Sequence, residues 1–143
     1  HPDHRHKDPE KERRMGIYHY NEGNRFLKKG DWKEAVRNYK MALHHDKTLH
    51  PVYINMSNAY LKGEQYPEAL KTLQALQAQA PRQPELHYNF ACYYSLTHQE
   101  KAALESLKKA VSLGYSKPDD FQSDPDLENL RRTADFAEWL AKL

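Results

Sequence analysis

The chain has 143 residues, the length of one domain or a short stack of repeats, and its formal net charge of +2 excludes the self-repulsion typical of disordered chains. Leu, Ile, Val and Phe supply only 25 residues, so Ala and 10 Tyr carry the remaining apolar volume, a composition suited to helices packed at close range. No window approaches the roughly 20 apolar residues that a membrane-spanning helix needs, and a single cysteine, Cys92, excludes an internal disulfide.

The first residue is His rather than Met, as expected of a processed or partial chain, and no charged-then-apolar signal segment opens it. Both a cytoplasmic and a periplasmic location stay open. Residues 1–8 read as a charged, disordered tail, in which His1, His4 and His6 would bind a metal only adventitiously for want of a fourth ligand. Asp8-Pro9-Glu10 is a helix start, and the first helix is expected from near residue 9 to about 28. Its break falls at Lys29-Gly30-Asp31, where Gly30 ends the helix in a left-handed conformation and Asp31 caps the next. A second break lies at Gly63-Glu64-Gln65, followed by Pro67 in the opening turn of a helix. Pro81 and Pro84 punctuate the next join, and a third break at Thr97-His98-Gln99 lacks glycine.

These segments repeat with a period of 34 residues, marked by Asn21, Asn55 and Asn89, by Phe26, Tyr60 and Tyr94, and by His19, Tyr53 and His87. Within each period the apolar residues recur at intervals of three and four, so each unit is a hairpin of two amphipathic helices. Small residues at Gly23, Ser57 and Ala91, and at Ala35, Ala69 and Ala103, mark where antiparallel helices approach closely. The units occupy 9–49, 50–83 and 84–117. Residues 118–143 break the period. There Ser123-Asp124-Pro125-Asp126 reads as a turn, and Leu127, Leu130, Phe136, Trp139, Leu140 and Leu143 form an apolar series able to close the exposed end of a stack. Residues 1–117 carry 19 Lys/Arg against 13 Asp/Glu and residues 118–143 carry 3 against 7, which fits an acidic end cap better than a nucleic-acid binder.

Gly23-x-x-Phe26, Gly30-Asp31-Trp32 and Ala35-x-x-x-Tyr39-x-x-Ala42-Leu43 resemble a tetratricopeptide repeat. Tyr53-x-x-Met56-Ser57-x-x-Tyr60 with Ala69 and Pro81, and His87-x-x-Phe90-Ala91-x-x-Tyr94 with Ala103 and Ala110, resemble two more. The resemblance implies an all-α fold, a right-handed superhelical solenoid of helix hairpins with extra capping helices. It also implies a protein-interaction module, an adaptor, scaffold or assembly factor that binds a peptide or partner helix without cofactor, metal or catalysis. A docking domain of a larger enzyme and a self-associating scaffold are the alternatives.

In such repeats the first helix of each hairpin lines the concave face. The candidate groove here is Tyr20, Asn24, Leu27 and Lys28, then Ile54, Asn58, Leu61 and Lys62, then Tyr88, Cys92 and Leu96, a mixture of aromatic, aliphatic and amide groups suited to a peptide. Asn21, Asn55 and Asn89 are expected instead to satisfy the main chain of a neighbouring hairpin. Some members of the family clamp the carboxylate tail of heat-shock chaperones; of that pattern Asn24 and Asn55 match, but Tyr20 replaces a lysine, and Glu85 and Asn89 stand where cations are needed. His44, His45 and Asp46 are neighbours on a helix end and share no face, and no phosphate loop or nucleophile motif is present, so no catalytic residue is assigned.

Overall fold

A computed structural model describes residues 8–143, and every regular element among them is helical. The elements are α1 (Pro9–Lys28), α2 (Trp32–His45), α3 (His50–Lys62), α4 (Tyr66–Gln79), α5 (Pro84–Leu96), α6 (Glu100–Ser112), α7 (Pro118–Ser123), a 3-10 turn (Pro125–Leu127), α8 (Glu128–Arg131) and α9 (Ala134–Ala141). The expectations for residues 1–7, including His1, His4 and His6, lie outside the described residues. Two compact units result, the first ending at Gln65 and the second running Tyr66–Leu143.

Local chemistry explains the helix ends. Asp8 caps α1 by accepting the Glu10 N–H at 3.0 Å, and Asp31 caps α2 by accepting the Glu34 N–H at 3.1 Å. Each hairpin turn closes with the same six-to-one bond: Asp31 N–H to the Phe26 carbonyl, Gln65 N–H to Tyr60, and Gln99 N–H to Tyr94, at 3.0, 2.9 and 2.8 Å. This closure places one residue per turn in the left-handed region, namely Gly30 (φ 86), Glu64 (φ 58) and His98 (φ 60). Only the first is a glycine. Gly63 serves packing instead, since a Cβ there would stand 2.3 Å from the Trp32 ring.

In the first unit α1 packs along α2. Gly23 allows the approach, because a Cβ would lie 2.5 Å from the Tyr39 ring, and Gly16 does the same against Leu49 and the Ala42 carbonyl. Ala35, Tyr39 and Ala42 are fully buried there. The His45 ring pairs with Glu12 at 2.9 Å and Arg13 meets Asp46 at 3.6 Å, tying the start of α1 to the end of α2.

In the second unit α5 packs on α6 through Ala91, Ala103, Leu107 and Ala110, and Ala69 on α4 is equally buried. The segment after α6 folds back onto α5. Leu127, Leu130 and Phe136 bury as the sequence series requires, while Trp139 and Leu140 are half-buried and Leu143 is exposed. Ser95 anchors the segment: its hydroxyl accepts the Leu130 N–H at 3.1 Å and its carbonyl accepts Asn129 Nδ2 at 2.9 Å. Arg131 donates to the carbonyls of Phe121 and Asp124, and Asp124 caps the 3-10 turn through the Asp126 N–H. No helix among the described residues is long and apolar enough to cross a membrane.

Candidate functional site

The first unit carries an open depression of about 380 Å³ between α1 and α3, lined by Asn24, Leu27, Lys28, Asn55 and Lys62. Its floor is a hydrogen-bonded shelf. Asn24 Oδ1 accepts from the Tyr39 hydroxyl at 2.5 Å and from Asn55 Nδ2 at 2.9 Å, and Asn55 Nδ2 also donates to the Tyr20 hydroxyl at 3.0 Å. Tyr39 is fully buried, and burial pushes its hydroxyl well above the ordinary tyrosine range, so it stays protonated and donates to Asn24. Both lone pairs of the Asn24 carbonyl are thereby used, which fixes the amide.

Lys28 and Lys62 are exposed in the last turns of α1 and α3, and neither forms an ion pair among the described residues. Leu27 is half-buried at the wall. Of the other residues singled out in the first unit, Ile54 and Asn58 are half-buried on α3 and Leu61 is buried at 3% exposure, so Leu61 belongs to the core rather than to a binding face.

In the second unit the candidates divide differently. Leu96 is half-buried, but Tyr88 and Cys92 are 6% and 3% exposed. The C-terminal segment covers them: the Tyr88 ring stacks on Tyr115 at 4.5 Å and lies 6.2 Å from Phe121, and its hydroxyl donates to Asp124 at 2.6 Å. Cys92 Sγ faces the same carboxylate at 3.9 Å, and burial first, then Asp124, pushes the thiol up. Sequence reasoning placed both on an open concave face and missed Phe121, which is 1% exposed and forms the cover. Cys92, Asp124 and Asp126 gather their ligand-type atoms within 4.8 Å, but Asp124 already receives the Tyr88 hydroxyl and the Asp126 N–H.

The asparagine series does not act as one ladder. Asn21 is exposed, Asn89 is buried, and Asn55 bonds to side chains of α1 rather than to main chain. Tyr53 and His87 form a series that reaches main chain: the Tyr53 hydroxyl donates to the Lys47 carbonyl at 2.8 Å, and His87 Nε2 lies 2.6 Å from the Pro81 carbonyl, 34 residues on in both partners.

These hairpins, their turn bonds and their small-residue crossings define a helical-repeat protein. Residues 26–88 match the model of the tetratricopeptide repeat family, so this stretch carries tetratricopeptide repeats. Over 80 residues it is 38% identical to a chloroplastic protein of Arabidopsis thaliana, an alignment covering 54% of this chain and 24% of that protein, so the chain spans about a quarter of its relative's length. Among solved structures it is similar to the first repeat domain of Spaghetti (RPAP3) bound to the HSP90 peptide SRMEEVD, with a TM-score of 0.69, 15% identity and coverage of 90% of this chain and 95% of that one. It is also similar to the TPR2B domain of yeast Sti1 in complex with an Hsp70 peptide, with a TM-score of 0.68, 19% identity and coverage of 82% and 94%. At such identities the likeness shows the fold, an all-α array of tetratricopeptide hairpins.

Proposed function

We propose that the chain is a non-catalytic protein-interaction module whose partner lies along α1 and α3, across Tyr20, Asn24, Leu27, Lys28, Ile54, Asn58 and Lys62. The observation that carries this reading is the fixed amide shelf of Asn24 and Asn55, flanked by two exposed lysines and a half-buried leucine on adjacent helices. A half-buried hydrogen-bond network beneath an open face holds its polar groups in set positions, so little ordering is needed when a partner arrives. The repeat domains of RPAP3 and Sti1 hold chaperone peptides in the structures named above, which supports a peptide-type ligand here. The chaperone tail itself fits poorly, because Tyr20 occupies a position where the clamp needs lysine and Glu85 and Asn89 supply no cation on α5.

Site-specific photocrosslinking tests the reading. A crosslinking side chain at Asn58 should capture a partner in native extract, and one at Lys40 on α2 should not; capture at Lys40 alone would move the binding face to the other side of the hairpin.

A further inference from the structure

We infer that the first hairpin carries a second interaction surface, the face of α1 formed by Met15, His19, Glu22 and Phe26. It docks an amphipathic partner helix, antiparallel to α1, with an acidic first turn. The repeat itself shows what covers such a face. Between α4 and α5, Leu70, Gln74 and Gln77 stand against His87, Phe90 and Tyr94 around a crevice of about 170 Å³. One period earlier, Tyr53, Met56 and Tyr60 of α3 are buried in the unit where α2 packs on α3. One more period back, His19, Glu22 and Phe26 are only half-buried, and Met15 is 37% exposed where its equivalent Leu49 is 6%. The first described element is α1, so none of the described residues supplies to it the helix that α2 supplies to α3 and α4 to α5. A face left to solvent at the edge of a repeat array calls for polar residues, which Met15 and Phe26 are not.

His19 gives an independent sign of the same neighbour. Its equivalents Tyr53 and His87 each bond to a main-chain carbonyl six residues earlier, in the loop after the covering helix. For His19 that position is Arg13, inside α1, and Nδ1 of the ring is buried with no hydrogen-bond partner among the described residues. Buried polar groups ordinarily have one. A helix ending beside His19, as α2 ends beside Tyr53, brings a carbonyl there. Its other end then lies by Phe26, whose ring has the Arg25 guanidinium at 4.6 Å and the Lys29 ammonium at 5.8 Å. Those two cations replace Ala59 and Gly63 in the second hairpin and Tyr93 and Thr97 in the third, so they belong to this face alone. An acid in the first turn of the docked helix meets them and suits its own dipole, and α2 and α4 carry Glu34 and Glu68 in that turn. A second copy of this chain fits poorly, because two-fold pairing with α1 antiparallel to its mate sets Lys29 of one chain against Lys11 and Arg14 of the other. Glu22, tied to Arg25 at 2.7 Å, stands where Met56 and Phe90 are apolar, so the face suits a helix that exchanges rather than one held permanently.

The probe is a lactam-stapled, acetylated and amidated peptide of residues 64–80, which spans α4, beside a version carrying Glu64→Lys and Glu68→Lys. Nuclear magnetic resonance of the full chain reads the Met15 methyl group and the His19 ring, and titration gives the dissociation constant. The parent peptide should shift both signals. Charge reversal in the peptide, or Met15→Glu in the protein, should each weaken binding about tenfold. Met15 is exposed on a helix, so Met15→Glu should melt as the parent does. Unmoved Met15 and His19 signals overturn the surface, and so does undiminished binding to Met15→Glu. Equal binding of the two peptides overturns the acidic first turn. Sedimentation of the chain without peptide should show a monomer; a dimer that Met15→Glu dissociates would assign the face to a second copy and refute the partner helix.

Discussion

Replacing Tyr88 by alanine separates a covered third-repeat face from an open one. The ring is 6% exposed, stacks on Tyr115 and sits against Phe121, so truncation removes nearly a whole aromatic side chain from the core. Aromatic-to-alanine changes in cores cost about 3–5 kcal/mol, a large part of the roughly 5–15 kcal/mol that holds a domain together. Tyr88→Phe keeps the ring and loses only the bond to Asp124, which retains the Asp126 N–H, so about 1–2 kcal/mol is expected. Urea unfolding followed by circular dichroism gives both numbers. Limited proteolysis of the native protein should then cut Tyr88→Ala within residues 115–131 before the parent is cut there. A loss below about 1 kcal/mol for Tyr88→Ala, with unchanged proteolysis, would mean that the ring faces solvent and that the cover described here is wrong.

Other outcomes follow from the same structure. Glu64→Gly and His98→Gly should each stabilise by about 0.5–1 kcal/mol in thermal melts, since both residues occupy the left-handed region without a glycine's freedom. Gly63→Ala should destabilise by about 1–3 kcal/mol because the Trp32 ring blocks the added methyl, and Ala69→Leu should cost a similar amount by overpacking; an unchanged melt in either would falsify the assigned helix phase. Tyr39 and Tyr88 have hydroxyls raised above the ordinary value of 10.0, so their contribution is complete below that pH and falls as the unfolded chain ionises above it. Each should steepen alkaline unfolding by about 1.4 kcal/mol per pH unit, and Tyr39→Phe should remove its share.

Much of the hairpin chemistry was legible because it is local and periodic. Asp8, Asp31 and Gly30 act within a few residues of themselves, and the 34-residue spacing aligned the small crossing positions before any packing was known. The misreadings share a cause. Tyr88 and Cys92 are closed off by Phe121 and Asp124, which lie outside the repeat, and a single phenylalanine within an acidic six-residue helix has no periodicity to announce it. Asn55 recurs with the period and so reads as a main-chain partner, yet its partners Asn24 and Tyr20 lie 31 and 35 residues away, on either side of the repeat length. Only the geometry of α1 against α3 brings them together. The Tyr39 hydroxyl that orients Asn24 reads in sequence as a core aromatic, and its polar task emerges only when its end is seen to reach the shelf.

Lysine acetylation footprinting of the partner-bound protein tests the central claim most directly. Bound partner should slow modification of Lys28 and Lys62, the two lysines at the depression, by about tenfold. Lys33 and Lys40, exposed on α2, should react as in the free protein. Protection of Lys33 and Lys40 with Lys28 and Lys62 unchanged would contradict the account and place the partner on the opposite face.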